Sequence, residues 1–156
     1  MSLQIGTTAP SFTLPAFDKQ MVSLEDFRGK NVVLLFFPAA FTGVCTAELC
    51  AMRDDIATYQ NLDAQILAIS VDLPFTLGKF REEQNLNFPL LSDFNKEASK
   101  AYGACYEHWI LGLNGVSKRS AFVIDREGIV RYAEVLDNAG ELPNFEAVRK
   151  VLGDLN

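Results

Sequence analysis

The side chains with the greatest capacity for covalent or metal chemistry in this sequence are three cysteines and one histidine: Cys45, Cys50, Cys105 and His108. We expect no secretion signal, because the first residues are neither basic nor strongly apolar. An odd number of cysteines in such a chain favours reactive free thiols over a framework of structural disulfides. The sequence therefore predicts thiol chemistry.

Cys45 stands where a buried strand is followed by a helix. The apolar run Val32–Phe37 predicts a strand covered on both faces, and ligands bind beyond the carboxyl ends of such strands. If Thr42 is the N-cap, Cys45 is the third helical residue, beside free backbone N–H groups at the positive end of the helix dipole. This position favours a thiolate. The alternative is that Cys45 is a small buried apolar residue.

A helix terminus alone does not ionise a thiol. An ordinary thiol is only about 3% ionised at pH 7, and lowering its pKa by two units takes about 2.7 kcal/mol. A helix terminus typically supplies about 0.3 to 1 kcal/mol. A reactive Cys45 therefore requires a cationic side chain, which the spacing of residues does not identify.

Cys50 lies on the same predicted helix, about 140° around its axis from Cys45. Five residues of helix separate the two Cα atoms by more than about 8 Å, whereas a disulfide requires about 4.4 to 6.8 Å. A bond between the two sulfurs therefore needs the first helical turns to unwind. The alternative is that Cys50 is an alanine-like residue on an outer helix face.

The spacings Cys45-x4-Cys50 and Cys105-x2-His108 leave open a zinc site of three cysteines and one histidine. The divergence of Cys45 and Cys50 on one helix argues against it, and we expect no metal and no cofactor. A site that needs two histidines is excluded, because His108 is the only one. We interpret His108 as a loop or interface residue and Cys105 as a structural residue.

The periodicity of apolar residues predicts an α/β fold, with a small hairpin followed by a central mixed β-sheet flanked by helices. The predicted strands are 11–15, 21–24, 32–37, 65–71, 120–124 and 129–135, and the predicted helices are 45–60, 74–84, 96–102 and 143–152. No repeat or linker interrupts the chain, so we expect a single domain over residues 1–156.

Composition excludes several classes of protein. The chain is 49% hydrophobic and 22% charged, which excludes a disordered polypeptide. Its net charge of −6 provides no wide basic surface, so we expect no nucleic-acid partner. The longest apolar run, Val32–Phe41, is interrupted by Pro38 and is shorter than the about 20 residues of a membrane-spanning helix. We therefore expect a cytoplasmic protein without a membrane partner.

The segment Pro38-x3-Thr42-x2-Cys45 resembles the active-site motif of the peroxiredoxins, which are thiol peroxidases with a thioredoxin-like fold. The resemblance spans residues 3–152 and is most similar to the alkyl hydroperoxide reductase E and bacterioferritin comigratory protein groups. It implies a thioredoxin-like fold with an N-terminal β-hairpin extension. The other segments that carry it are 9–12, 67–72, 88–93, 101–103 and 119–125.

The resemblance implies roles for the residues around the motif. Cys45 would be the peroxidatic nucleophile, Thr42 would hydrogen-bond the peroxide and the thiolate, and Pro38 would shield the sulfur from water. Val44 would support substrate binding. Thr46 stands where many relatives have proline, a change that removes no catalytic group.

The resemblance also identifies the cationic side chain that a reactive Cys45 requires. Arg119 matches the family's active-site arginine, and only its position shortly before the segment Phe122–Asp125 distinguishes it from the other arginines. Glu48 matches an acidic residue that the family uses to orient that arginine.

The implied reaction is the reduction of hydrogen peroxide and organic hydroperoxides through a sulfenic acid on Cys45. Cys50 occupies a position used for resolution, which implies an intramolecular Cys45–Cys50 disulfide and a thioredoxin-like reductant. The resemblance to the family also implies a homodimer. The alternatives are a one-cysteine cycle resolved by an external low-molecular-weight thiol, a redox sensor without peroxidase activity, and a zinc-stabilised module. The preferred peroxide and the role of Cys105 are not fixed by the sequence.

Overall fold

The computed structural model describes residues 3–156. The strands are β1 (Thr13–Pro15), β2 (Met21–Ser23), β3 (Asn31–Phe36), β4 (Ala64–Ser70), β5 (Leu90–Ser92), β6 (Ser120–Ile124) and β7 (Val130–Val135). The α-helices are α1 (Gly43–Asp54), α2 (Ile56–Asn61), α3 (Pro74–Gln84), α4 (Glu97–Ala101) and α5 (Phe145–Asp154). β1 and β2 form the N-terminal hairpin, and the other five strands form a mixed sheet in the order β5-β4-β3-β6-β7.

β3 is the central strand of the larger sheet, and all of its residues are buried. It pairs in parallel with β4 and antiparallel with β6. Its alternate side chains enter two separate apolar clusters, Val33 and Leu35 on one face and Val32, Leu34 and Phe36 on the other. The expectation of a strand covered on both faces is confirmed.

The helices divide between the two faces of the sheet. The cluster that contains Val33 also contains Leu49 of α1, Tyr59 of α2, Leu77 of α3 and Val148 of α5. The opposite cluster contains residues of α4 and of the N-terminal hairpin. Within residues 3–156, no helix has the length and apolar character that crossing a membrane requires.

The prediction of one helix over residues 45–60 is wrong, because α1 and α2 are separated at Asp55. The Asp55 carboxylate accepts a hydrogen bond from Thr58 Oγ1 at 2.8 Å. The backbone at Asp55 itself leaves the helical conformation, with φ −101° and ψ 14°, and the Thr58 N–H donates to the Asp55 carbonyl at 3.0 Å, three residues back rather than four. The buried stripe continues from Leu49 to Tyr59 across the break, so its periodicity did not reveal the interruption.

The other elements lie close to their predicted positions. The bounds of α3 agree with the predicted helix 74–84, which begins at a proline suited to the first turn. The final helix begins at Phe145 rather than at residue 143, because the Asn144 side chain accepts the Ala147 N–H and caps it. β5 was not predicted as a strand, since it has only three residues.

Candidate active site

The loop 37–42 connects the carboxyl end of β3 to the first turn of α1. Thr42 has extended backbone angles and stands at the N-cap, as predicted, but its side chain does not cap the helix. Its Oγ1 instead donates a hydrogen bond to the Ala39 carbonyl at 2.7 Å. With that proton engaged, the Thr42 oxygen keeps its lone pairs for a second partner.

Cys45 is the third residue of α1, in agreement with the prediction. The first helical hydrogen bond joins Thr46 N–H to the Thr42 carbonyl, so the amides of Gly43, Val44 and Cys45 precede the helical ladder. The side chain of Cys45 is only 2% exposed, whereas Thr42 and Val44 beside it are exposed. The Cys45 sulfur is therefore buried next to exposed residues of the first helical turn, at the positive end of the helix.

Arg119 provides a cation in contact with Cys45. Its Nη2 donates to Cys45 Sγ at 3.1 Å, and its side chain is 1% exposed. The antiparallel register that pairs Phe36 with Ser120 brings Arg119 to the carboxyl end of β3. Sheet pairing thus joins two residues that are 74 positions apart in the chain.

Glu48 and Ala139 hold the Arg119 guanidinium in place. Glu48 lies on α1, three residues after Cys45, and its Oε1 accepts from Arg119 Nη1 at 2.6 Å. The Ala139 carbonyl accepts from Arg119 Nε at 3.1 Å and from Nη2 at 3.0 Å. Sequence reasoning missed Ala139, because a backbone acceptor leaves no side-chain signal.

Burial and charge act in opposite directions on the Glu48–Arg119 pair. Burial raises the pKa of Glu48 to about 7, and the attraction of Arg119 opposes this increase without cancelling it. Burial lowers the pKa of Arg119, but Glu48 and Cys45 outweigh that effect and raise it above its ordinary value. Arg119 therefore stays charged beside the sulfur, while Glu48 exchanges a proton near neutral pH.

We expect Glu48→Gln to flatten the pH dependence of the free energy of unfolding. Because the folded-state pKa of Glu48 is raised, the folded protein binds more protons than the unfolded chain between pH 4.5 and about 7, and stability falls as pH rises through this window. Across this window the free energy of unfolding would change by at most about 3 kcal/mol. Urea unfolding at several pH values, compared with the exposed control Glu82→Gln, measures it. Parallel profiles for wild type and Glu48→Gln would contradict the prediction.

Pro38 and Cys50 lie in the two segments that flank Cys45, the loop 37–42 and the helix α1. Pro38 is buried at the start of the loop 37–42. Cys50 is half-buried rather than on an open outer face, and its Sγ donates to Gln84 Oε1 of α3 at 3.4 Å. Since α1 is continuous from Cys45 to Cys50, a bond between the two sulfurs requires this helix to unwind.

Cys105 and His108 lie away from Cys45. Cys105 directly follows Ala104, which belongs to the apolar cluster on the other face of the sheet, and burial raises the pKa of its thiol. His108 is exposed, with its Nδ1 3.1 Å from Asn114 Oδ1. Among residues 3–156, histidine, cysteine and acidic side chains form no group of three or more arranged to hold a metal ion.

Comparisons with known proteins agree with this geometry. Residues 5–133 match the model of the AhpC/TSA family. The chain is 45% identical to alkyl hydroperoxide reductase E of Mycobacterium tuberculosis over 136 residues, which cover 85% of this chain and 86% of that protein. It is 36% identical to peroxiredoxin Bcp of Escherichia coli over 132 residues, which cover 83% and 84% of the two chains.

Solved structures extend the similarity to the whole fold. The crystal structure of peroxidoxin BcpB from Mycobacterium tuberculosis superposes with a TM-score of 0.87 at 28% identity, covering 99% of both chains. A peroxiredoxin-like protein from Aquifex aeolicus has a TM-score of 0.90 at 26% identity, covering 100% of this chain and 90% of that one. The expected thioredoxin-like α/β fold is confirmed, and the chain belongs to the AhpC/TSA family, the peroxiredoxins.

Proposed function

We propose that this protein reduces hydrogen peroxide and organic hydroperoxides with Cys45 as the nucleophile. The observation that supports this most strongly is the 3.1 Å contact between Arg119 Nη2 and Cys45 Sγ at the N-terminus of α1. The contact places a fixed cation and the positive end of a helix beside the same sulfur, where both stabilise negative charge during the reaction. The experiment that tests the proposal is peroxide consumption by the purified protein with dithiothreitol as reductant.

The proposed reaction is a displacement on the peroxide oxygen. The Cys45 thiolate attacks the terminal oxygen, so that an S–O bond forms while the O–O bond breaks. The sulfur is oxidised to a sulfenic acid, and the other oxygen leaves as hydroxide or alkoxide and takes a proton from water. Arg119 and the free amides of α1 stabilise the negative charge as it moves from the sulfur to the leaving oxygen.

Three neighbours of Cys45 complete the proposed site. Because the Thr42 hydroxyl donates to Ala39, its oxygen is free to accept the O–H of a bound hydroperoxide and turn the terminal oxygen toward the sulfur. Pro38 has no N–H group to attract water, and it is buried beside the loop. Val44 presents an exposed apolar side chain at the entrance, which suits the alkyl part of an organic hydroperoxide.

For the second half of the cycle, we propose that Cys50 resolves the sulfenic acid on Cys45. The Cys50 thiol would attack the Cys45 sulfur and displace hydroxide, which takes the thiol proton, so that the products are a disulfide and water. A thioredoxin-like dithiol would then reduce the disulfide. The first turns of α1 would unwind to bring the sulfurs together. In the one-cysteine alternative, an external thiol attacks Cys45 and Cys50 stays reduced.

Peptide mapping after one molar equivalent of peroxide distinguishes these cycles. No lysine or arginine separates the two cysteines, so trypsin leaves both in the peptide Asn31–Arg53. We expect this peptide to lose two hydrogens and to resist alkylation, and cleavage after Glu48 to leave two linked fragments. Cys105→Ser removes the third thiol as a competitor and serves as the matched background.

The opposite result would be a tryptic peptide in which Cys50 is fully alkylated while Cys45 carries oxygen or an added thiol. That outcome rejects resolution by Cys50 and favours the one-cysteine cycle. It leaves the proposed role of Cys45 intact, because both cycles begin with the same attack on the peroxide.

The same proposal includes a cytoplasmic location and a single catalytic domain over residues 1–156. It also includes a homodimer. Exposed apolar side chains at Phe41, Ile110, Leu111 and Leu113 support this assembly, because large exposed apolar residues favour protein contacts.

A further inference from the structure

A carboxylate from the neighbouring strand contacts the loop 37–42. The Ala40 N–H donates to Asp72 Oδ2 at 2.8 Å. Asp72 follows the end of β4, which is the parallel neighbour of β3. Since parallel strands end at the same edge of a sheet, Asp72, two residues after the end of β4, is placed to hold the loop that follows β3.

Asp72 is itself fixed by two buried serines. Ser70 Oγ donates to Asp72 Oδ2 at 2.7 Å, and Ser92 Oγ of β5 donates to the Asp72 carbonyl at 2.5 Å. Ser70 is 0% exposed and Ser92 is 2% exposed. Asp72 therefore connects the loop to the ends of both strands, to β4 through its carboxylate and to β5 through its carbonyl.

The loop needs such support because its backbone is strained. Phe41 has φ = 66°, a left-handed conformation that is uncommon for a residue with a large side chain. Its ring is half exposed and packs against Phe80 of α3 with centroids 5.1 Å apart. Strained conformations persist only where the surrounding structure holds them. The Ala40 hydrogen bond acts on the residue directly before Phe41.

The contact between Asp72 and Ala40 also affects the position of the Thr42 side chain. The Thr42 hydroxyl bonds to the carbonyl of Ala39, whose neighbour Ala40 is the residue that Asp72 holds. A shift of this peptide would move the acceptor of the Thr42 hydroxyl and hence the direction of its lone pairs. Cys45 and Arg119 are separately positioned by α1 and by Glu48 and Ala139.

We propose that Asp72 is a positioning residue for peroxide reduction: it holds the loop 37–42 so that a lone pair of the Thr42 oxygen points at the O–H of the bound hydroperoxide. This inference rests on the proposed peroxidase function. Loss of the Asp72 contact should lower the reactivity of Cys45 with peroxide, because the peroxide is no longer oriented. It should leave the general thiol reactivity of Cys45 unchanged, because the Arg119–Cys45 contact stays in place. The ratio of peroxide reactivity to general thiol reactivity is therefore the diagnostic quantity.

The experiment measures the rate constants of reduced Cys45 with hydrogen peroxide and with iodoacetamide, in a Cys50→Ser, Cys105→Ser background. Iodoacetamide reports thiolate supply and access without requiring peroxide orientation. We expect Asp72→Ala to lower the ratio of the two rate constants by about tenfold, because a hydrogen bond to a charged group is lost. Asp72→Asn keeps an acceptor without the charge and should lower it by about threefold.

Asp93→Ala is the matched control. Like Asp72, Asp93 accepts backbone N–H donors with its carboxylate, here from Ala98 at 3.0 Å and Ser99 at 2.6 Å, but these donors lie in α4 rather than in the loop 37–42. We expect the ratio to equal that of wild type in this variant, even if the stability of the fold decreases.

An unchanged ratio in Asp72→Ala, or an equal decrease in Asp93→Ala, overturns the proposal. If Asp72→Ala does not fold, the Asp72→Asn ratio decides in the same way. Failure of the proposed function is distinguishable, because the wild-type protein itself would then react with peroxide no faster than an ordinary thiol.

Discussion

Peroxide consumption by the Cys45→Ser variant is expected to fall by at least about a thousandfold, to the level of dithiothreitol alone. A serine hydroxyl at this position stays neutral, so no anion forms beside Arg119 to attack the O–O bond. The substitution is nearly isosteric and changes little in the packing of a side chain that is 2% exposed. The loss is measured as the initial rate of peroxide disappearance at saturating reductant.

The control for this prediction is Cys105→Ser. Cys105 lies away from Cys45 and burial raises the pKa of its thiol, so its removal should leave the initial rate within about twofold of wild type. A fully active Cys45→Ser variant, or an inactive Cys105→Ser variant that folds normally, would refute the assignment of the nucleophile.

The second large effect is expected for Arg119→Lys, in which the second-order rate constant with hydrogen peroxide should fall by about a hundredfold. One guanidinium donates to Glu48, Cys45 and Ala139 at the same time. A lysine ammonium keeps the charge but has no planar fork that spans these acceptors. It would leave either the sulfur or the buried carboxylate without a donor.

Arg126→Lys is the matched control for Arg119→Lys. Arg126 also donates through Nε and Nη2, to the Asp63 carboxylate at 3.2 and 3.0 Å, but it does so at the surface. Its replacement should leave the rate constant unchanged. Equal rates for wild type and Arg119→Lys would mean that the charge alone, rather than the directed donors, supports the reaction.

Local patterns in the sequence predicted most of the fold. The continuous apolar run in β3 identified a strand buried on both faces, and Pro74 marked the start of α3. The break at Asp55 was missed because the backbone leaves the helical conformation there without interrupting the buried apolar stripe from Leu49 to Tyr59. The three-residue β5 was missed because it is too short to show a period of its own.

The candidate site likewise contains residues that the sequence identified and residues that it did not. The position of Cys45 on the first turn of α1 follows from neighbouring residues, so the chain itself predicted it. Arg119 reaches the sulfur only through the register of β3 with β6, and the family resemblance rather than residue spacing selected it. The contacts of Ala139 and Asp72 involve backbone groups distant in the chain, and although Asp72 lies in the segment 67–72 that carries the resemblance, no spacing pointed to its contact with Ala40.

The role of Cys45 as the nucleophile is tested most directly by finding which cysteine peroxide oxidises first. Reduced Cys50→Ser protein would be treated with one molar equivalent of hydrogen peroxide in the presence of dimedone, a reagent that traps sulfenic acids, and then digested with trypsin. We predict a dimedone adduct on Cys45 in the peptide Asn31–Arg53, while Cys105 stays reduced. An adduct that forms first on Cys105, or peroxide consumption without any adduct on Cys45, would contradict it.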